Sequence, residues 1–159
     1  MNRVYLGIGG NLARRAHARA AWQALKPLGK LRASPIYECP ALGFESQPFF
    51  NWVVALETDL ELDALRFALR EIEFSFGRAH DAQKYQDRTL DIDILLFGDK
   101  VCRAPITLPR EDVFRYPFVI QPLYDLAPEL IIPGDGRTMQ EIWQEKGPFP
   151  ELNLVSLTL

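Results

Sequence analysis

The order of patterned segments predicts an α+β fold: a ferredoxin-like antiparallel sheet with helices packed on it, on one face, and a C-terminal extension. Three observations carry that expectation. A short apolar run, Val4 to Ile8, ends at Gly9-Gly10 and leads into an Ala-rich stretch, which reads as strand then helix. Phe50-Asn-Trp-Val-Val-Ala-Leu-Glu57 is aromatic and β-branched, and Leu62, Leu65, Leu69, Ile72 and Phe76 then recur every three or four residues. A last apolar run, Leu90 to Phe97, closes a β-α-β-β-α-β order.

Each element has its own signal. Asn11 is placed to cap the first helix, which runs to Leu28 with Gly29 closing it. Leu31 to Tyr37 reads as the second strand. Glu38 to Pro48, with two Pro and one Gly, is a long connector whose apolar residues suit a binding loop. Gly77 stops the second helix, and the polar, aperiodic Arg78 to Arg88 reads as a mobile loop. Beyond Gly98, Pro105, Pro109, Pro117, Pro122, Pro128 and Pro133 leave room only for short helical turns. Thr138-Met-Gln-Glu141 fits a capping box opening a short final helix, and Leu152 to Leu159 fits an edge strand.

With 159 residues the chain is expected to form one domain, residues 1–159, with a substantial core. Eighteen Lys+Arg against 21 Asp+Glu, net charge −3, provide no electrostatic footprint for nucleic acid or an anionic membrane. No secretory or membrane-spanning run is evident, and Cys39 and Cys102 form no framework, so a reduced, cytoplasmic monomer is the expectation. Gly7-Ile-Gly-Gly-Asn-Leu12 fails the dinucleotide fingerprint because its third glycine position is Leu12. No phosphate-binding Gly-rich loop of the Walker type occurs, and His17 and His80 lack ligand spacing.

The chemistry concentrates in Arg88-Thr-Leu-Asp-Ile-Asp-Ile-Leu-Leu-Phe97. Strand side chains alternate, so 89, 91, 93, 95 and 97 share one face and Leu90, Ile92, Ile94 and Leu96 form an apolar second face. Asp91 and Asp93, about 7 Å apart along that strand, repel each other unless a cation sits between them. Oxygen ligands select hard ions, and Mg²⁺ held by one or two carboxylates completes its shell with water and substrate phosphates. Arg88 could grip such a phosphate. The competing reading is a merely solvated strand face, which Asp's poor fit to strand interiors disfavours.

Several ordered motifs carry a family likeness: the Gly9-Gly10-Asn11 turn, Tyr37-x-x-Pro40-x-Leu-Gly43, Gln47-Pro-Phe-Phe-Asn51, Ile72-Glu-x-x-x-Gly-Arg78, Arg88-Thr-Leu-Asp-Ile-Asp93 and Phe118-Val-Ile-Gln-Pro-Leu-x-x-Leu-Ala-Pro128. In order and spacing the chain resembles the 6-hydroxymethyl-7,8-dihydropterin pyrophosphokinases of folate biosynthesis. The resemblance implies diphosphate transfer from ATP to the pterin hydroxymethyl group, release of AMP, and two Mg²⁺ ions. It matches Asp91 and Asp93 to the metal ligands and Arg78 and Arg88 to catalytic, phosphate-binding arginines. It matches Phe49, Phe118 and Asn51 to the pterin's stacking faces and amide, with Cys39, Pro40, Leu42 and Gly43 completing the wall. Ile94, Thr107, Arg110 and Arg115 fall at ATP-binding positions. Glu73 matches a family position without an assignable role.

Departures cluster in the nucleotide half. Pro109-Arg110 stands where the family usually has Pro-His, which keeps positive charge but removes a group that titrates near neutrality. Gln86-Asp87 precede Arg88 where small residues are usual, Tyr85 replaces a tryptophan, Tyr116 an arginine with Arg115 adjacent, and Gly10 a serine. Two activities therefore stay open: a divergent pyrophosphokinase, or a pterin- or nucleotide-binding protein without transfer. An RNA-binding module is disfavoured by the acidic charge and the lack of an aromatic RNP-type strand.

Overall fold

The computed structural model describes residues 1–11, 13–40, 48–76 and 90–159. Its strands are β1 (Asn2–Gly10), β2 (Lys30–Ala33), β3 (Ile36–Cys39), β4 (Phe49–Thr58), β5 (Asp91–Phe97) and β6 (Asn153–Val155). Its helices are α1 (Arg14–Leu25), α2 (Leu62–Ser75), α3 (Asp112–Arg115), α4 (Pro117–Leu126) and α5 (Met139–Lys146). The sheet runs β5-β1-β4-β3-β6, with β2 also on β4, and every pairing is antiparallel. The expected α+β sheet with packed helices is therefore present.

Helices cover both faces of that sheet. On one, Ala18, Ala21 and Leu25 of α1 and Leu62, Leu65 and Leu69 of α2 pack on Leu6, Ile8, Trp52, Val54, Ile92 and Ile94. On the other, Val113, Val119, Ile120, Leu123, Met139 and Ile142 pack on Tyr5, Val53, Ala55, Leu95 and Leu96. The C-terminal extension thus supplies a second layer, and the region between that layer and the strand ends is where the site forms.

Local departures from the expected elements have physical causes. The first helix is capped not by Asn11, which is fully buried, but by Ala13 in a left-handed conformation, φ 45° and ψ 49°. It ends at Leu25, and Lys26–Leu28 continue as a tighter 3₁₀ turn around Pro27. The single strand expected over Leu31 to Tyr37 splits at Ser34-Pro35. Pro35 has no N–H for a ladder, and Ser34 bridges the break: its N–H donates to Val53 O at 2.8 Å, while its Oγ accepts from Val53 N at 2.8 Å. Helix α4 spans 10 residues despite two prolines. Pro117 occupies its first position, where no N–H is needed, and Pro122 is accommodated inside it, buried against the sheet. The capping box forms as expected, with Glu141 N–H donating to Thr138 Oγ1 at 3.1 Å and Glu141 Oε1 accepting from Thr138 N–H at 3.1 Å.

Strict alternation in β5 holds only as far as Ile94. The register against β1 jumps from Leu6↔Ile94 to Tyr5↔Leu96, which leaves Leu95 as a bulge. Leu95 and Leu96 both enter the C-terminal core, whereas Phe97 returns to the α1–α2 side. The bulge lies beyond Asp93 and leaves both aspartates on the C-terminal face.

Candidate active site

Four strands present one row of residues on that face. Cys39 lies opposite Phe49, Tyr37 opposite Asn51, Asn51 opposite Gly9, and Gly9 opposite Asp91; one step along, Gly7 lies opposite Asp93. Opposed residues project to the same side, so the expected amide and the expected carboxylates share a floor. Asn51 and Asp91 sit two strands apart, about 10 Å at the usual strand spacing.

The glycines between them keep that floor bare. A Cβ on Gly9 would lie 2.7 Å from Asn51 Oδ1, and one on Gly7 would lie 3.3 Å from Leu95 Cδ2. Alternate glycines inside a strand remove side chains from one face only, and this signal in Gly7 and Gly9 was legible beside the turn they suggest.

At one end of the row the Asn51 amide is held. Its Nδ2 donates to Cys39 Sγ at 2.8 Å, and the Cys39 thiol points toward Phe49 O at 3.8 Å. Burial, eased by the Asn51 hydrogen bond, pushes the thiol up to about 11, so it remains protonated. Phe49, on the Asn51 face of β4, is half-buried. Phe118, in the first turn of α4, stacks on Tyr116 with ring centroids 5.1 Å apart and planes 10° apart. Tyr37 donates through its hydroxyl to Asp125, Asp125 accepts from Gln121 at 3.0 Å, and Gln121 accepts from Trp143 Nε1 at 2.7 Å. That chain ties β3 to α4 and α5, and burial with the Asp125 carboxylate drives the Tyr37 phenol well above its ordinary range.

At the other end Asp91 and Asp93 stand on the β5 edge. Burial and the Asp91 charge push Asp93 up to about 7, with Asp112 and Glu73 adding to the rise and Arg110 opposing it. Arg110 Nη2 lies 3.7 Å from Asp93 Oδ2, and its Nε lies 3.1 Å from Asp112 Oδ2. Burial works against the guanidinium's charge, but Asp93 and Asp112 outweigh it and hold the group protonated. Two carboxylates crowded enough to raise one of them fit a divalent cation through oxygen donors. Among the described residues no group of three His, Cys, Asp or Glu forms a complete cage, so water and phosphate would complete the shell, as Mg²⁺ favours.

Glu73, whose place on α2 suggests a solvated carboxylate, is instead only 3% exposed. Its Oε2 accepts from Ile92 N–H at 2.7 Å, on the open edge of β5. The residue therefore fixes the strand between the two aspartates. Asp112 and the Tyr37–Asp125 tie also escape a sequence reading, because each partner is distant in the chain or of an ordinary surface type.

The remaining expected residues divide. Pro40 follows β3 and is exposed, and Arg115 is exposed with Nη1 3.4 Å from Glu111. Thr107 is exposed three residues before Arg110. The Ile94 side chain is not brought to the carboxylate face; it packs in the α1–α2 core. Leu42, Gly43, Arg78, Arg88 and the expected mobile loop 78–88 lie outside the described residues.

Residues 5–128 match the family model of 7,8-dihydro-6-hydroxymethylpterin-pyrophosphokinase (HPPK). The chain belongs to the HPPK family. A Pseudomonas aeruginosa relative, 2-amino-4-hydroxy-6-hydroxymethyldihydropteridine pyrophosphokinase, is 41% identical over 148 residues, covering 89% of this chain and 90% of its own. A Haemophilus influenzae protein of the same name is 33% identical over 137 residues, covering 82% and 85%. Among solved structures, a Plasmodium falciparum HPPK-DHPS wild type with STZ-DHP has a TM-score of 0.73 at 14% identity. That match covers 91% of this chain and 43% of the larger one, and at this identity it speaks for the HPPK fold alone. Among the described residues, no helix is long and apolar enough to cross a membrane.

Proposed function

We propose that this HPPK family member transfers diphosphate from ATP to 6-hydroxymethyl-7,8-dihydropterin in folate biosynthesis, working as a single-domain cytoplasmic monomer. The observation that carries the reading is the row Asn51–Gly9–Asp91 on one bare sheet face, with an amide at one end and a carboxylate pair at the other. In the reaction the pterin hydroxymethyl oxygen bonds to the β-phosphorus of ATP, the bond from that phosphorus to the α-phosphate oxygen breaks, and AMP leaves. The hydroxyl proton passes to solvent.

The chain's residues divide that work. Asn51 is the amide that reads the pterin edge, able to donate and accept, and its contact with Cys39 restrains its orientation. Phe49 and Phe118 are the stacking faces, with Tyr116 backing Phe118. Pro40, Leu42 and Gly43 complete the pterin wall. Asp91 and Asp93 would hold Mg²⁺, two ions in this proposal, and the bound metal would offset phosphate charge during transfer. Arg78, Arg88 and Arg110 supply further positive charge to the transferring group. Thr107, Arg115 and Ile94 enter as nucleotide contacts on the motif match, Ile94 through its main chain because its side chain lies in the opposite core. Positioning and electrostatics suffice for this class of transfer, which needs no activated protein nucleophile.

The test mixes protein, Mg²⁺, ATP and 6-hydroxymethyl-7,8-dihydropterin and follows AMP. AMP in proportion to pterin consumed is expected. Pterin binding without AMP above background would favour the alternative, a binding protein without transfer, for which Arg110 in the usual histidine position is the specific ground. Asp91→Ala and Asp93→Ala are expected to weaken Mg²⁺–ATP binding at least about tenfold while sparing pterin binding. Equal loss of both ligands from a folded variant would remove the metal assignment.

A further inference from the structure

Arg110 is drawn into the site by charge and is poorly held there by hydrogen bonds. Its Nη2 lies 3.7 Å from Asp93 Oδ2, beyond hydrogen-bond length. Its Nε, 3.1 Å from Asp112 Oδ2, is shut off from solvent and meets that carboxylate at a poor hydrogen-bond angle. A guanidinium presents five donors in a rigid fork, and a buried donor left unpaired costs stability. The root of the residue is fixed, because its main-chain N–H donates to Leu95 O at 2.9 Å. The head is therefore tethered beside Asp93, partly open to solvent and held to protein by one long and one skewed ion pair.

We propose that Arg110 is an exchangeable counter-ion of the Asp91–Asp93 pair, leaving Asp93 for the triphosphate when a divalent cation arrives with it, so that the site takes up the metal–nucleotide complex in preference to the free ion. The inference rests on Asp91 and Asp93 being the metal ligands. A free cation must drive Arg110 off Asp93 and then sit beside a guanidinium whose remaining carboxylate partner, among the described residues, is Asp112. A metal–nucleotide complex brings phosphate oxygens that match the arginine fork, so the displaced group exchanges water and a 3.7 Å ion pair for charge-assisted hydrogen bonds. Asp112, two residues along, keeps the head within reach during the exchange. A histidine at this position is largely neutral near pH 7 and would be a weaker counter-ion.

The test titrates Mg²⁺ alone onto wild type, Arg110→Gln and Arg110→Lys by calorimetry, then titrates Mg²⁺ with the α,β-methylene analogue of ATP. Arg110→Gln is expected to bind free Mg²⁺ about fivefold or more tighter than wild type, in the range of coupled-site effects. Arg110→Lys keeps the charge and should stay near wild type. With the analogue the order reverses, and Arg110→Gln binds the complex more weakly. Free Mg²⁺ binding by Arg110→Gln that is equal to or weaker than wild type overturns the proposal. Should Arg110→Gln fail to fold by circular dichroism, Arg110→His at pH 8 carries the same expectation and the same refutation. Wild type that binds no Mg²⁺–analogue complex overturns the metal assignment and this inference together. Wild-type binding of the complex with no gain in free Mg²⁺ affinity in Arg110→Gln overturns the counter-ion role alone.

Discussion

At the scale of single residues, Gly9 and Asp93 have the sharpest consequences. An alanine at Gly9 would put its methyl 2.7 Å from Asn51 Oδ1 and push the amide off Cys39. Gly9→Ala is expected to weaken pterin binding about tenfold, near the cost of overpacking one carbon. Mg²⁺–nucleotide binding should change little, and fluorescence titration of each ligand separates the two. Asp93 sets a pH dependence. Its carboxyl ionises near 3.9 when unfolded and near 7 in the fold, because of burial, then Asp91, Asp112 and Glu73, with Arg110 opposing. Between those values the folded chain holds the extra proton, so the contribution of Asp93 to metal-free stability is fully present below about pH 4 and is lost as pH rises through about 7. Denaturant melts in chelator across that range should show the stability of wild type relative to Asp93→Asn falling as pH rises. The same proton competes with metal, so Mg²⁺–nucleotide affinity should drop as pH falls below about 7. The Asp-x-Asp pair was legible because two carboxylates in an apolar strand are hard to explain otherwise. The protonation of one was not, since Asp112 and Glu73 reach it only through the fold.

At the scale of elements, β5 is an edge strand whose outward, buried N–H at Ile92 is taken by Glu73 of α2. Glu73→Ala leaves that donor without its partner, at a cost of about 1–3 kcal/mol. Amide exchange at Ile92 should accelerate and Mg²⁺–nucleotide affinity should fall, because the strand carrying both aspartates loosens. Glu73→Gln keeps an acceptor and should recover much of both. The helical period of α2 was plain in Leu62, Leu65, Leu69, Ile72 and Phe76, of which the first three are buried and the last two pack partly buried against the same core. It could not show that Glu73 turns onto the neighbouring strand. Helix α4 is the reverse case. Its prolines argued against a helix, yet Pro117 falls at the first position and the apolar Val119, Ile120 and Leu123 gain more by burial on the sheet than Pro122 removes.

For the whole molecule, the sheet has a core on each face, and only one core underlies the site. Leu25→Ala on the α1 side and Ile120→Ala on the α4 side each delete a fully buried side chain, at about 2–5 kcal/mol apiece. Ile120→Ala should in addition raise the KM for pterin, since α4 carries Phe118 and Asp125, while Leu25→Ala should leave KM near wild type. Melting curves paired with steady-state kinetics on both variants test that asymmetry.

Sequence by itself determined the α+β order, the strand that carries the carboxylates, the capping box and the family, because strand and helix periods, turn residues and motif spacing are local properties of the chain. It also supplied the candidate ligands, since residue type restricts chemistry. Tertiary structure alone decided that Asn51, Gly9 and Asp91 share one row, that helices cover both sheet faces, and that Arg110 sits between Asp93 and Asp112. The row joins segments tens of residues apart, and Arg110 reaches Asp93 across the turn that follows β5; both depend on strand register and on the bulge at Leu95.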